Sequence, residues 1–187
     1  MTVPSLDADE ALLGNANFLG VYMAPVGTAA VTDIEIDTAP WATLGWVSED
    51  GVSINPERSI DQLRAWQSPT AIKNVLTEYN ITVDMELLQH NPTTLSHYWG
   101  QTEPTEVSGT VEMDVDVLSD NAPQGALIVD TRDGDQIARY VFHKVQVTSV
   151  GELSVARGGF QALPVTFTAL DPGTGIPATV YLLTDAG

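Results

Sequence analysis

Thr77-Glu78-Tyr79-Asn80-Ile81-Thr82-Val83-Asp84-Met85-Glu86-Leu87 is the stretch that decides the fold. Thr77, Tyr79, Ile81, Val83, Met85 and Leu87 occupy the odd positions, and Glu78, Asn80, Thr82, Asp84 and Glu86 the even ones. Strict period-two alternation marks a strand with one buried and one wet face. At roughly 3.3 Å per residue this strand spans about 36 Å, about twice the usual strand length. It should overhang the core of a small domain, so its ends are expected to meet another subunit.

The neighbouring sequence gives this strand a partner. Val52 to Trp66 has extended character with poor alternation, and Ser68-Pro69 turns the chain back into the long strand. Proline cannot donate to a ladder, so Asn55-Pro56-Glu57 predicts a bulge or an irregular exposed edge. Ser48-Glu49-Asp50-Gly51 predicts a tight turn. Downstream, Asn91-Pro92 reads as an N-cap with proline at the first helical position, and Gly100 stops a helix over Thr93 to Trp99.

The remaining chain is mostly short strands. They are predicted over Asn17 to Ala24, Thr32 to Asp37, Leu44 to Val47, Val107 to Leu118, Ala126 to Asp130, Gln136 to Val150, Phe160 to Leu170 and Thr179 to Leu183. Pro40 to Thr43 and Asp133-Gly134 read as turns. Many strands at short spacing with one short helix argue for a mainly β fold, an antiparallel sandwich or barrel with a flanking helix and a long extended hairpin. Residues 1–15 read as an N-terminal arm. Residues 16–187 read as one β domain, in which 52–73 form the long hairpin.

Composition narrows the function. The chain has 187 residues, enough for one well-filled core. It lacks cysteine, so no disulfide or thiolate site is available. No apolar run approaches the length of a membrane span, and Met1 to Asp7 lack the basic and apolar regions of a signal peptide. Assembly in a reducing cytoplasm is the expectation. Twenty-five acids face seven bases, for a net charge of −18. The bases are Arg58, Arg64, Lys73, Arg132, Arg139, Lys144 and Arg157, scattered singly, which disfavours a high-affinity nucleic-acid binder. The excess acid serves either solubility or a surface that repels a polyanion.

No residue set points to catalysis. Glu112, Asp114 and Asp116 share one face of the predicted strand at about 6.6 Å spacing, too far apart to chelate one ion. They read as a solvated face or as a negative lining. Asp130, Asp133 and Asp135 lack the ligand series of a calcium loop and read as turn residues. His90, His97 and His143 are not at zinc spacing and read as ordinary surface or core histidines. No nucleophile elbow, phosphate loop or dinucleotide fingerprint occurs. Hence no enzyme, metal or cofactor is expected.

The hairpin is more telling. Trp66 sits near its apex, where an exposed tryptophan suits docking. Arg58, Arg64 and Lys73 lie on the same hairpin of an acidic chain. A local basic patch of this kind can meet the acidic surface of an identical neighbour, a head-to-tail contact that makes rings or filaments.

Several segments together resemble the major tail proteins of long-tailed, non-contractile bacteriophages infecting actinobacteria. They are Leu6-Asp7-Ala8-Asp9-Glu10-Ala11-Leu12-Leu13-Gly14-Asn15, Leu44-Gly45-Trp46-Val47-Ser48-Glu49-Asp50-Gly51-Val52 and Arg64-Ala65-Trp66. The strand over Thr77 to Leu88 followed by Asn91-Pro92-Thr93-Thr94-Leu95 belongs with them, as does Phe160 to Leu170.

The resemblance implies a virion structural protein. It would self-assemble into stacked hexameric rings that form a tail tube, the conduit for genome ejection. Implied partners are other copies of itself, a tape-measure protein, tail terminator and distal tail or baseplate proteins, and double-stranded DNA that passes without specific binding. The hairpin would then join rings through Arg58, Asp61, Arg64, Trp66 and Lys73. Glu112, Asp114 and Asp116 would line the lumen, with Glu78, Asp84 and Glu86 as the alternative acidic face. A virion-surface adhesion or binding sandwich is the competing reading.

Overall fold

The computed structural model describes residues 19–33, 36, 39–116, 122–133 and 136–184. The predicted N-terminal arm therefore lies outside the described residues, as do the Gly134 turn position and Val117-Leu118.

Among the described residues ten strands and one helix occur in the order β1 (Leu19–Ala24), β2 (Ala42–Thr43), β3 (Val47–Arg64), β4 (Ala71–Leu87), α1 (Pro92–Trp99), β5 (Glu106–Val107), β6 (Thr110–Val111), β7 (Gln124–Asp133), β8 (Gln136–Val150), β9 (Leu163–Ala169) and β10 (Ala178–Thr184). Eight of the strands form one antiparallel sheet in the order β2-β1-β7-β8-β9-β4-β3, with β10 branching off β8. The path does not close, so the architecture is a sandwich and not a barrel.

The long strand β8 belongs to both layers. One edge pairs with β7 over residues 136–146, and the other pairs with β10 over 136–142 and with β9 over 145–150. β9 and β10 follow one another along the same edge of β8. Val21 and Met23 of β1 share one buried cluster with Ile81, Val83 and Met85 of β4, four strands away along the path. At about 4.8 Å per strand such burial needs the sheet to fold over, placing β1, β7, β10 and the first half of β8 against β9, β4 and β3. Phe142, Val145, Leu163, Val165 and Phe167 fill the space between.

The other face of the β1-β7-β8 layer is covered by the chain after β1. Trp41 packs there with Ala24, Ala126, Ile128 and Val141, and Val31 and Ile36 lie against them. Burial on both faces explains why Ala126-Leu127-Ile128-Val129 is a continuous apolar run instead of an alternating one.

The helix forms as its end signals dictate. Asn91 Oδ1 accepts from the Thr94 amide at 2.8 Å, and Thr94 Oγ1 accepts from the Asn91 amide at 2.9 Å, completing a capping box. Gly100 closes the helix in the left-handed region, with φ of 64°. Leu95 packs on the main core, and His97 meets the Phe167 ring edge-on at 5.8 Å.

Four local expectations need correction. Ser48 to Gly51 is not a chain reversal. β3 runs through it, and the register jumps from Val47 opposite Leu87 to Val52 opposite Met85. Gly51, with φ of +74°, absorbs the distortion as an irregularity within the strand. Asn55-Pro56-Glu57 pairs without a break, Pro56 standing opposite Ile81. β3 is an edge strand, where a proline is tolerated. Pairing to β1 occurs at Ala42–Thr43, inside the predicted turn, while Leu44 is buried without being in a strand.

Finally, Val107 to Leu118 is not one strand. Residues 106–107 and 110–111 form a two-residue hairpin around Ser108-Gly109, and 112–116 pair with no strand. Among the described residues, alternation there finds no partner edge to convert it into a ladder.

Candidate assembly surface

The β3–β4 hairpin changes character along its length. Ile81, Val83, Met85 and Leu87 are buried, while residues 72–80 of β4 and 55–64 of β3 are exposed. β9 pairs with β4 only over Thr82 to Leu87. The outer half therefore projects beyond the core as a two-stranded ribbon with both faces and both edges open.

The ribbon is held by its own ladder and by short side-chain contacts. Arg58 stacks its guanidinium 5.1 Å from the centre of the Tyr79 ring, a cation–π contact. Thr77 Oγ1 donates to the Ser59 carbonyl at 3.1 Å, and Arg64 Nη2 donates to Gln62 Oε1 at 3.3 Å. At the tip the Ser68 amide donates to the Ala65 carbonyl at 3.1 Å, and Trp66 is 100% exposed. A tryptophan left wholly in water on an ordered turn loses the hydrophobic gain of burial.

All five hairpin candidates lie on this ribbon. Arg58 stands opposite Tyr79, Asp61 opposite Val75, Lys73 opposite Leu63 and Arg64 opposite Ala71. Opposed residues share a face, so Asp61 and Lys73 lie on one face and Arg58 on the other. Trp66 sits at the apex.

The acidic candidates lie in two separate places. Glu112, Asp114 and Asp116 are exposed on the irregular chain after β6, which Gln101 holds by donating from Nε2 to the Asp116 carbonyl at 3.1 Å. Asp84 and Glu86 line a shallow groove of about 340 Å³ together with Asp50, Ser149 and Pro164. Glu78 stands apart, out on the ribbon.

Two buried polar features went unread in the sequence. Asp130 is not a turn residue: its carboxylate receives Arg139 Nε at 2.8 Å and Nη2 at 2.7 Å, both side chains being almost wholly buried. Arg139 Nη1 donates to the carbonyls of Val31 and Asp33 at 2.6 and 2.7 Å, fastening the chain between β1 and β2 onto the sheet. Burial pushes the Asp130 carboxyl up, while the guanidinium's hydrogen bonds and charge pull it down. Burial and the Asp130 charge also raise the Tyr22 phenol.

A signal for this pair was present. The pairing of Asp133 with Gln136 puts Asp130 directly opposite Arg139, and a base inside Ile137-Ala138-Arg139-Tyr140-Val141 calls for such a partner.

His97 is the other feature. It is buried with Nδ1 unpartnered, and burial pushes the imidazole down to about 4, opposed by the Glu103 charge. His90 and His143 make ordinary hydrogen bonds, to the Gln161 carbonyl at 2.8 Å and to Thr179 Oγ1 at 2.9 Å. Among the described residues no group of acids and histidines is arranged to hold a metal ion.

What stands out is thus a projecting ribbon, not a chemical site. Among solved structures, one chain of the anti-feeding prophage baseplate, determined by cryo-EM with 6-fold symmetry, is similar over 100% of both chains, with 9% identity and a TM-score of 0.42. No curated protein sequence matches. The family model described as phage tail tube protein matches residues 5–186, and the chain belongs to that family, as a structural component of a phage tail.

Proposed function

We propose that this protein assembles into hexameric rings that stack into a tail tube, the conduit through which double-stranded DNA leaves the virion. The observation that carries this reading is the β3–β4 ribbon. Apolar side chains such as Trp66, Ile60 and Leu63 lie exposed on an ordered, projecting element, an arrangement that matches an interaction surface waiting for its partner.

The ribbon joins successive rings, with Arg58, Asp61, Arg64, Trp66 and Lys73 as contacts. Charge supports this. Three of the seven bases, Arg58, Arg64 and Lys73, lie on the outer ribbon and balance its own Glu57, Asp61 and Glu78, so the net charge of −18 falls on the rest of the chain. An identical copy is an acidic target for these bases.

Glu112, Asp114 and Asp116 line the lumen, where negative walls let a phosphate-rich duplex slide without being gripped. The face of Glu78, Asp84 and Glu86 is the alternative lining. The tube forms around a tape-measure protein and is closed by terminator and distal tail proteins. The protein acts as scaffold and not as enzyme, and it belongs to phages of the actinobacterial type assembled in the host cytoplasm.

Electron microscopy of purified protein at rising concentration tests this reading, with rings and tubes as the expected result. Trp66→Ala and Arg64→Glu are expected to abolish normal tubes while leaving a folded subunit. Normal tubes from both would remove the ribbon from stacking, and a map with Glu112, Asp114 and Asp116 on the outer wall would transfer the lining to the other face.

A further inference from the structure

The main core face does not stop where the core is covered. It continues bare on two elements. On β10, Ala178 stands opposite Phe142, Val180 opposite Tyr140 and Leu182 opposite Ala138. Phe142 belongs to the main core, and Tyr140 and Ala178 pack against it. Residues two apart share a face of a strand, so Val180 and Leu182 lie on that same core-facing side. Yet Val180 is 57% and Leu182 75% exposed. Among the described residues nothing covers them, and the outer edge of β10 has no partner.

The ribbon shows the matching feature. Ile54 packs on the main core, and Pro56, Arg58 and Ile60 follow at two-residue steps along β3. Their partners are Ile81, Tyr79 and Leu76, with a register shift that leaves Thr77 as the extra residue. Tyr79, Leu76 and Ile60 therefore extend the core face outward, and all three are exposed. Both bare strips lie toward the same end of the sandwich, because β9 leaves β4 beyond Thr82 and gives way along β8 to β10.

Within one copy the two strips leave each other uncovered. We infer that the Ile60-Leu76-Tyr79 strip of one copy covers the Val180-Leu182 strip of β10 in a neighbouring copy, each supplying the layer that the other lacks. The occupant is a second copy for two reasons. The strips continue a single core pattern, so their residue types and spacing suit one another as the two layers of the sandwich do. The outer ribbon is also electrically neutral, its Arg58, Arg64 and Lys73 balancing Glu57, Asp61 and Glu78, so it approaches an identical acidic copy without like-charge repulsion.

The strips differ, which makes the contact heterologous, and repeated rotation closes it into a ring. The inference rests on the ring reading above and specifies the joint within a ring. The opposite ribbon face, with Asp61 and Lys73, and the Trp66 tip are left for the next ring, while Arg58, which lies on the strip face beside Tyr79, moves with it to the joint within the ring.

The absence of cysteine from the chain allows a direct test. Full-length Leu76→Cys and Leu182→Cys variants are mixed under conditions in which the wild type forms rings, then oxidised. A disulfide heterodimer is expected from the mixture, little homodimer from either variant alone, and a covalent ladder from the double variant. A second variant, Leu182→Glu, changes a side chain that is exposed in the subunit. It should leave the melting temperature unaltered and raise the concentration needed for rings by about tenfold or more.

Rings that form without the heterodimer, or with unchanged affinity in Leu182→Glu, would overturn this joint and leave the tube reading standing. A wild-type protein that stays monomeric at every concentration would overturn the tube reading and the joint with it.

Discussion

The two halves of the β3–β4 hairpin share strands, ladder and composition, yet they obey different rules. Between Ile81 and Leu87 the alternating apolar residues are buried against β1, β7 and β9. Between Ala71 and Asn80 similar residues point into water. The difference teaches that alternation encodes a surface to be covered, not the identity of what covers it. In the inner half the chain covers itself, and in the outer half the described residues leave the same pattern bare.

Substitutions paired across this divide should separate sharply. Among charges, Arg139→Met is expected to cost about 3–5 kcal/mol in urea unfolding, because Asp130 is left buried without its cation. Arg64→Met on the ribbon should fall within about 0.5 kcal/mol. Equal losses at the two sites would erase the distinction between inner and outer charge.

Among apolar residues of β4, Leu87→Ala removes a fully buried side chain and should cost about 2–5 kcal/mol. Leu76→Ala should change subunit stability by no more than about 0.5 kcal/mol, its effect appearing in assembly. A large stability loss from Leu76→Ala in dilute subunit would show that the ribbon is part of the folding core.

Protonation sharpens the comparison further. Unfolded, His97 takes up a proton near its ordinary value of 6.5, whereas in the folded subunit it does so only at about 4. Between these values the unfolded state binds more protons. The contribution is therefore complete above pH 6.5 and lost progressively as pH falls toward 4, amounting to about 3 kcal/mol. Unfolding of wild type and His97→Gln at a series of pH values isolates it: the difference between them should vary over this window. A constant difference would show that His97 is not held neutral.

The smallest expected effect is at the apex. Trp66→Ala should leave the unfolding free energy of the subunit unchanged within about 0.5 kcal/mol, since the indole is wholly exposed. A measurable loss would mean that the tip folds back onto the subunit in solution.

Legibility in the sequence followed the range of the interaction. Asn91, Pro92, Thr94 and Gly100 specify the helix through bonds only a few residues long, and the predicted ends stand close to those observed. The long strand and its overhang were legible because alternation and length are properties of one segment. Ser48 to Gly51 was misread, and the bulge alternative at Asn55-Pro56-Glu57 failed while the exposed edge held, because local turn and breaker preferences yielded to the ladder with β4. The 107–118 segment was misread for the converse reason: its alternating pattern found no partner edge. Of the candidate assembly surface, the exposed Trp66 and the bases Arg58, Arg64 and Lys73 of the ribbon were legible from position. The Val180-Leu182 strip was not, since the pattern of a covered strand and that of an uncovered one are the same.

The sequence by itself determined the mainly β class, the single capped helix, the projecting hairpin and the acidic character, all of which follow from periodicity, short-range hydrogen bonding and charge composition. Only the tertiary structure decided that the sheet folds over through β8 into an open sandwich, that Asp130 and Arg139 lock the chain between β1 and β2, and that the core face runs out uncovered on β10 and on the ribbon. These depend on which strands become neighbours and where their overlap ends, and burial is settled by that overlap and not by any one strand.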